Sequence, residues 1–206
     1  MTPKPVVYIV DDDDGIRTSL TWLLDSVGMK AICFSNGHDF LKSFTADVPA
    51  CVVLDVRMAD MSGFDVQEAL NRRAISVPII FITGHADVPM SVRAFQSGAV
   101  DFVEKPYASQ QMLEKIQRAT RLAIQRYTED KQRRDLRDKL DTLTQREQEV
   151  LKGVLEGYGS KQIAATLCIS VKTVDVYRGR IKEKLGVSST AMLVRDAFSV
   201  WSLDSD

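Results

Sequence analysis

The chain has 206 residues, of which 45% are apolar, and a formal net charge of −1. That length fits one large or two ordinary domains with real cores, and the near-neutral balance excludes a partner chosen by bulk charge alone. No apolar run approaches the roughly 18 residues of a membrane helix, and the first ten residues lack the apolar core of a signal peptide, so a cytoplasmic protein with no membrane partner is expected. Charge is unevenly spread. Residues 1–125 hold 12 Lys+Arg against 15 Asp+Glu, and residues 126–206 hold 15 against 13. Residues 161–184 hold six basic residues, Lys161, Lys172, Arg178, Arg180, Lys182 and Lys184, against only Asp175 and Glu183. The three cysteines, Cys33, Cys51 and Cys168, form no CxxC and read as small buried hydrophobes in a reducing compartment.

In chain order, apolar, β-branched runs at 6–10, 31–34, 51–54, 78–83 and 101–104 predict strands. They are continuous rather than alternating, which implies burial on both faces. Helical spacing lies between them: Ile16, Leu20, Leu23 and Leu24; Val66, Ala69 and Leu70; Val92, Phe95 and Gln96. Strand–helix repetition of this kind predicts a parallel sheet covered by helices on both faces. From Ser109 to Asp141 there is no Gly or Pro, and one long helix is expected. Its later part carries opposite charges at i, i+4, among them Asp135 and Lys139. Thr144 and Glu147 form a capping-box pattern. Helices are then expected to about 156, over 161–167, over 171–185 with Ser170 as N-cap and Gly186 as the stop, and from Ser188 or Ser189 to about 201.

Two sets of residues point to chemistry. Ligands of open α/β sheets bind outside the carboxyl ends of the strands. Asp11 and Asp12 follow the first strand, Asp55 ends the third, Thr83 ends the fourth, and Lys105 follows the fifth. Several carboxylates at one edge suit a hard cation, most simply Mg²⁺. A cation, an ammonium and a hydroxyl around Asp55 suit phosphoryl chemistry with that carboxylate as nucleophile. Asp13 and Asp14 are expected to face solvent and cap the next helix. His38 and His85 are the only histidines, and His85, two residues after Thr83, reads as a loop residue near the site. In the C-terminal part, a short helix, a turn and a basic helix follow helix-turn-helix logic. Val174, Ile181 and Leu185 fall on one face, while Lys172, Val176 and Gly179 fall on the other, with Asp175 and Arg180 flanking. Basic groups there would hold phosphates, and Asp175 could accept from a cytosine amino group.

The motifs VDDD, VVLDVRM, IIFITG and DFVEKP stand in this order and resemble a response-regulator receiver domain. LTQREQEVL, GSKQIAATLCIS and VKTVDVYRGRIKEKLGV resemble a LuxR/NarL-type DNA-binding domain. The run TGHADVPMSVRAFQSGAVDFVEKPY is similar to the FixJ subgroup. This resemblance implies a flavodoxin-like, doubly wound five-stranded α/β domain over 1–122. It further implies a helical linker over 123–141 and a four-helix helix-turn-helix domain over 142–206. It implies Asp55 as phosphoacceptor, with Thr83 and Lys105 on the phosphoryl oxygens and Phe102 as aromatic switch. Mg²⁺, or Mn²⁺ in its place, would sit on Asp11, Asp12, Asp55 and the Arg57 carbonyl, and Gly84 would keep the site open. DNA contacts fall to Lys161, Lys172, Thr173, Asp175, Val176, Gly179 and Arg180. Implied partners are a FixL-like sensor histidine kinase, promoter DNA, RNA polymerase and a second copy of the chain when phosphorylated. A nitrogen-fixation circuit is implied as well. The chain departs from many LuxR-type members at Ser160, Asp175 and Tyr177, which bears on the operator sequence. Two alternatives share parts of this reading: a Mg²⁺-dependent phosphohydrolase working through an aspartyl-phosphate, and an adaptor whose second domain binds protein or RNA.

Overall fold

The computed structural model describes residues 3–201. The chain divides between Thr128 and Glu129 into two compact units. In the first, five strands, β1 (Val6–Val10), β2 (Lys30–Phe34), β3 (Ala50–Asp55), β4 (Ile79–Thr83) and β5 (Asp101–Glu104), alternate with helices. These are α1 (Asp14–Asp25), α2 (Gly37–Ser43), α3 (Gly63–Arg72), α4 (Val88–Gln96) and the start of α5 (Ser109–Asp141). The sheet order is β2-β1-β3-β4-β5 and every pairing is parallel. This is the flavodoxin-like order, whose switch point lies between β1 and β3. Those two strands and β4 are buried throughout. One face packs on α2, α3 and α4 through Phe40, Val66, Leu70 and Ala94. The other packs on α1 and α5 through Leu20, Leu24, Met112 and Ile116.

Three expectations are corrected here. The strands 30–34 and 101–104 are not buried on both faces but partly exposed, because β2 and β5 are the two edges of the sheet. Cys33 is therefore exposed, as is Cys168 in the second unit, and only Cys51 is buried. Burial pushes the Cys51 thiol up to about 11, with the hydrogen bond between it and Thr120 acting the other way. On α4 the buried residue is Ala94, while Val92 and Phe95 face outward with Val88. The spacing of Val92 and Phe95 is helical, but it marks the outward side of α4.

The second unit contains the last part of α5, then α6 (Gln145–Leu155), α7 (Ser160–Leu167), α8 (Val171–Leu185) and α9 (Thr190–Trp201). Its core is Leu143, Val150, Leu151, Val154, Ile163, Ala164, Val174, Ile181, Leu185, Leu193 and Ala197. The stretch 123–141, read as a linker, is shared between the units: Ala123 is buried in the first, and Leu136 and Leu140 pack on the core of the second. Lys139 donates to the Leu185 carbonyl at 3.3 Å rather than pairing with Asp135. Among the described residues, no helix is long and apolar enough to cross a membrane.

Candidate functional site

The register explains why the acidic groups meet. Val10 pairs with Leu54, so Asp11 and Asp55, one residue further on, lie side by side at the switch point. Thr83 pairs with Glu104, which brings Lys105 alongside. Its amide donates to the Thr83 carbonyl at 2.7 Å. Asp11 and Thr83 are fully buried and Asp55 is 4% exposed, while Asp12 is exposed. Asp11, Asp12 and Asp55 each bring an oxygen within 4.8 Å of the others. Lys105 Nζ donates to Asp11 Oδ2 at 2.7 Å and to Asp55 Oδ1 at 3.2 Å.

One ammonium thus faces three carboxylates. Burial first, then the charge of Asp11, raises the Asp55 carboxyl from 3.8 to about 6, with Lys105 opposing and Asp12 adding to the rise. Burial alone would lower Lys105, but its hydrogen bond to Asp11 and the charges of Asp11 and Asp55 outweigh it and raise its value. The donor set is all oxygen and under-neutralised, which fits a hard divalent cation.

The four consecutive aspartates take separate tasks. Asp11 turns in to Lys105. Asp12 Oδ2 accepts from the Ala59 amide at 3.3 Å, tying down the loop after Asp55. Asp13 is the N-cap of α1, accepting from Gly15 and Ile16. Asp14 begins α1 and pairs with Arg17 at 2.7 Å. Sequence reasoning missed Arg17, whose other guanidinium nitrogen donates to the Asp11 carbonyl at 2.7 Å. It also missed what Gly63 does. A Cβ there would lie 2.3 Å from the Asp55 carbonyl oxygen, so only glycine lets α3 start against the site. A glycine eight residues after a strand-end aspartate was the available signal for it.

The remaining residues sit around this centre. Thr83 Oγ1 donates to the His85 carbonyl at 3.2 Å. Glu104 Oε1 accepts from the Ala86 amide at 3.0 Å, fastening the same loop. Phe102 is half-buried, with its ring 6.4 Å from that of Phe81. A Cβ at Gly84 would meet open space. Arg57 is exposed, two residues beyond Asp55. His38 is held by Asp60 at 2.9 Å, and the His85 ring is exposed. Lys105–Pro106 is a cis peptide bond.

In the second unit, the capping box of Thr144 and Glu147 opens α6. Cys168, at φ 55, ends α7 in the left-handed region. Ser170 caps α8 and Gly186, at φ 72, ends it. Val174, Ile181 and Leu185 are buried, and Lys161, Lys172, Asp175, Val176, Gly179 and Arg180 are exposed. Thr173 is half-buried, tied to Ser170 by its amide and hydroxyl. Asp175 is not a free carboxylate, because its Oδ1 accepts from Ser160 Oγ at 2.8 Å.

The response regulator receiver domain family matches residues 7–117, more than half of the chain. The chain belongs to the response regulators. The bacterial regulatory proteins of the luxR family match residues 141–197, so this response regulator joins a receiver domain to a LuxR-type DNA-binding domain. Nodulation protein W of Bradyrhizobium diazoefficiens is 43% identical, over 93% of this chain and 85% of that one. FixJ of Rhizobium meliloti is 39% identical, over 94% and 95%. The solved structure of the response regulator StyR is 39% identical with a TM-score of 0.84, covering 96% of this chain and all of that one. Regulators with different names match at similar identity, so likeness fixes the class of regulator rather than the genes it controls. Interaction with a sensor kinase and with DNA follows from the class. The second domain is of luxR type rather than the cap domain that the phosphohydrolase alternative needs.

Proposed function

We propose that this response regulator is a transcription regulator switched by phosphorylation of Asp55. The observation that carries the reading is Lys105, whose ammonium spans Asp11 and Asp55 at 2.7 and 3.2 Å beside a third carboxylate. In the reaction, an Asp55 oxygen attacks the phosphorus of a phosphohistidine on the sensor kinase. The P–O bond forms as the P–N bond breaks, and the imidazole leaves. Asp55 must be ionised to attack, and its value near 6 leaves it mostly so at pH 7. Asp11, Asp12, Asp55 and the Arg57 carbonyl would hold Mg²⁺ or Mn²⁺, which supplies charge neutralisation for the phosphoryl oxygens. Lys105 transfers its hydrogen bond from Asp55 to the phosphoryl group. Thr83 gives up the His85 carbonyl for the same group, which frees the loop after β4, and Phe102 follows inward. Beyond accepting the phosphoryl group, the chain is expected to do no more than slow self-phosphorylation and autodephosphorylation at Asp55, without turnover of an external substrate.

The output follows from the second domain. Val88, Val92 and Phe95 are 75, 47 and 51% exposed on α4, and this apolar surface supports pairing of two phosphorylated copies through α4, β5 and α5. Two copies would fit two half-sites of promoter DNA and present the complex to RNA polymerase. Lys161, Lys172 and Arg180 hold phosphates, while Thr173, Asp175, Val176 and Gly179 face bases or approach the duplex. The kinase would be FixL-like and the setting cytoplasmic, with nitrogen fixation as the circuit suggested by likeness to FixJ. The test is intact-protein mass after acetyl phosphate, with Mg²⁺ or chelator, for wild type and Asp55→Asn. One Mg²⁺-dependent phosphoryl adduct, absent in Asp55→Asn, is expected. An adduct that persists in the variant would sink the assignment.

A further inference from the structure

A carboxylate on the outer face of α8 is out of place if that face only holds phosphates, which it would repel. The fold nevertheless fixes Asp175 in position. Arg178 Nη2 donates to Thr190 Oγ1 at 3.1 Å and Arg178 Nη1 donates to Ser160 Oγ at 2.9 Å. Ser160 Oγ meets Asp175 Oδ1 at 2.8 Å. The direction of this chain is not ambiguous. A guanidinium only donates and an ionised carboxylate only accepts, so the serine proton is committed to Asp175. The relay runs through the first residue of α7, the middle of α8 and the first residue of α9. Arg178 is half-buried while Asp175 is exposed. One carboxylate oxygen is thus tied down from the interior, and Oδ2 carries no hydrogen bond among the described residues.

Such an acceptor is held in place before any ligand arrives, and the ordering cost of binding falls accordingly. In the major groove, guanine presents acceptors N7 and O6 and thymine presents O4. Adenine places acceptor N7 beside its amino group, and cytosine presents the N4 amino donor alone. A fixed acceptor is repelled by the guanine and thymine edges, meets a donor beside a repelling N7 on adenine, and is fully matched by cytosine, which presents a donor alone. We propose that Ser160 and Arg178 position Asp175 as a specificity-determining acceptor for a cytosine amino group, acting on discrimination rather than affinity. The inference rests on the duplex-binding reading of α8 given above.

The test uses the full chain, treated with acetyl phosphate and Mg²⁺, to select from duplexes with a random core of about 20 base pairs, two helical turns. The bound pool is sequenced, and affinity for one unrelated duplex is measured against salt. Wild type is expected to prefer cytosine about tenfold at one position of each half-site. Asp175→Ala removes that preference and binds the unrelated duplex more tightly. Asp175→Asn moves it to adenine, whose N6 and N7 suit an amide. Ser160→Ala blurs the preference several-fold at the same position, and Ser160→Thr, which keeps a hydroxyl, retains it. A role confined to holding α7 on α8 would change the melting temperature but not base choice. Base preferences that do not move in Asp175→Ala or Ser160→Ala, with salt-dependent duplex binding intact, overturn this inference alone. Absence of salt-dependent duplex binding in wild type overturns it together with the DNA-binding reading.

Discussion

Asp55 in the first unit and Glu147 in the second are both buried carboxylates that accept from a lysine, and their proton affinities move in opposite directions. Glu147 Oε2 accepts from Lys184 at 2.7 Å, from the Thr144 amide at 2.8 Å and from the Thr144 hydroxyl at 3.0 Å. The Lys184 bond, outweighing burial with help from Thr144, holds its carboxyl below the ordinary 4.5. Asp55 shares its lysine with Asp11, which holds it more closely, and burial with the Asp11 charge drives it up. The difference lies in compensation rather than burial. A carboxylate with its own donors fastens helices together, whereas one left short of positive charge stays receptive to a cation or a phosphoryl group.

The largest effect expected from this contrast is complete loss of the Mg²⁺-dependent phosphoryl adduct in Asp55→Asn, read by intact mass, while Glu147→Ala keeps the adduct. Glu147→Ala should instead destabilise the second unit by about 3 kcal/mol, since it strips both the capping box and the buried partner of Lys184. Urea titration would show this as an early transition, with duplex binding lost. Equal effects of Glu147→Ala on phosphorylation and on duplex binding would break the contrast.

A smaller effect concerns pH. For Asp55 the folded value lies above the ordinary 3.8, so the native state holds the extra proton between about 4 and 6. The penalty is absent below the ordinary value and complete above about 6, and the first unit loses stability as pH rises through that window. The full rise corresponds to about 3 kcal/mol. Part of this is returned when Lys105 loses a charged partner, so Asp55→Asn should gain about 2 kcal/mol at pH 7.5 without Mg²⁺ and little near pH 4. Glu147 has the opposite sign: its contribution is present above the ordinary 4.5 and is lost as pH falls through the depressed value. Thermal melts at both pH values check this. Added Mg²⁺ should raise the melting temperature of wild type and leave that of Asp55→Asn nearly unmoved.

What the sequence made legible follows the same division. The ends of parallel strands collect their residues at one edge by register, so Asp11, Asp55, Thr83 and Lys105 could be placed without coordinates. The capping box and the buried side of α8 are local patterns and were equally plain. Edge position is a property of the whole sheet, and nothing within 30–34 told that β2 would be half-exposed with Cys33 in the open. Spacing identified α4 as a helix but not that Ala94, the smaller side chain, would face the sheet in place of Phe95. The Ser160–Asp175–Arg178 relay joins positions 15 and 18 residues apart through a tertiary contact. Ser160 and Asp175 could be noticed separately as departures from the family pattern, but not as partners.

The smallest expected effect tests the contrast where it is most exposed. Gly179 lies inside α8 and is exposed, and a Cβ there would touch nothing within 4 Å. Nothing in the fold asks for glycine, which in a helix interior costs about 1 kcal/mol against alanine. Gly63 is the opposite case, since the Asp55 carbonyl leaves no room for a side chain. If the unfavourable choices collect at functional positions, Gly179 is kept for close approach of the duplex. Gly179→Ala should then raise the stability of the second unit by roughly 0.5–1 kcal/mol while weakening duplex binding several-fold. Urea titration and a duplex-binding isotherm on the same preparation read both quantities. A gain in stability with duplex affinity unchanged would mean that Gly179 is not where the backbone meets DNA, and the recognition face would then have to be centred on Lys172, Asp175 and Val176, a turn nearer the helix start.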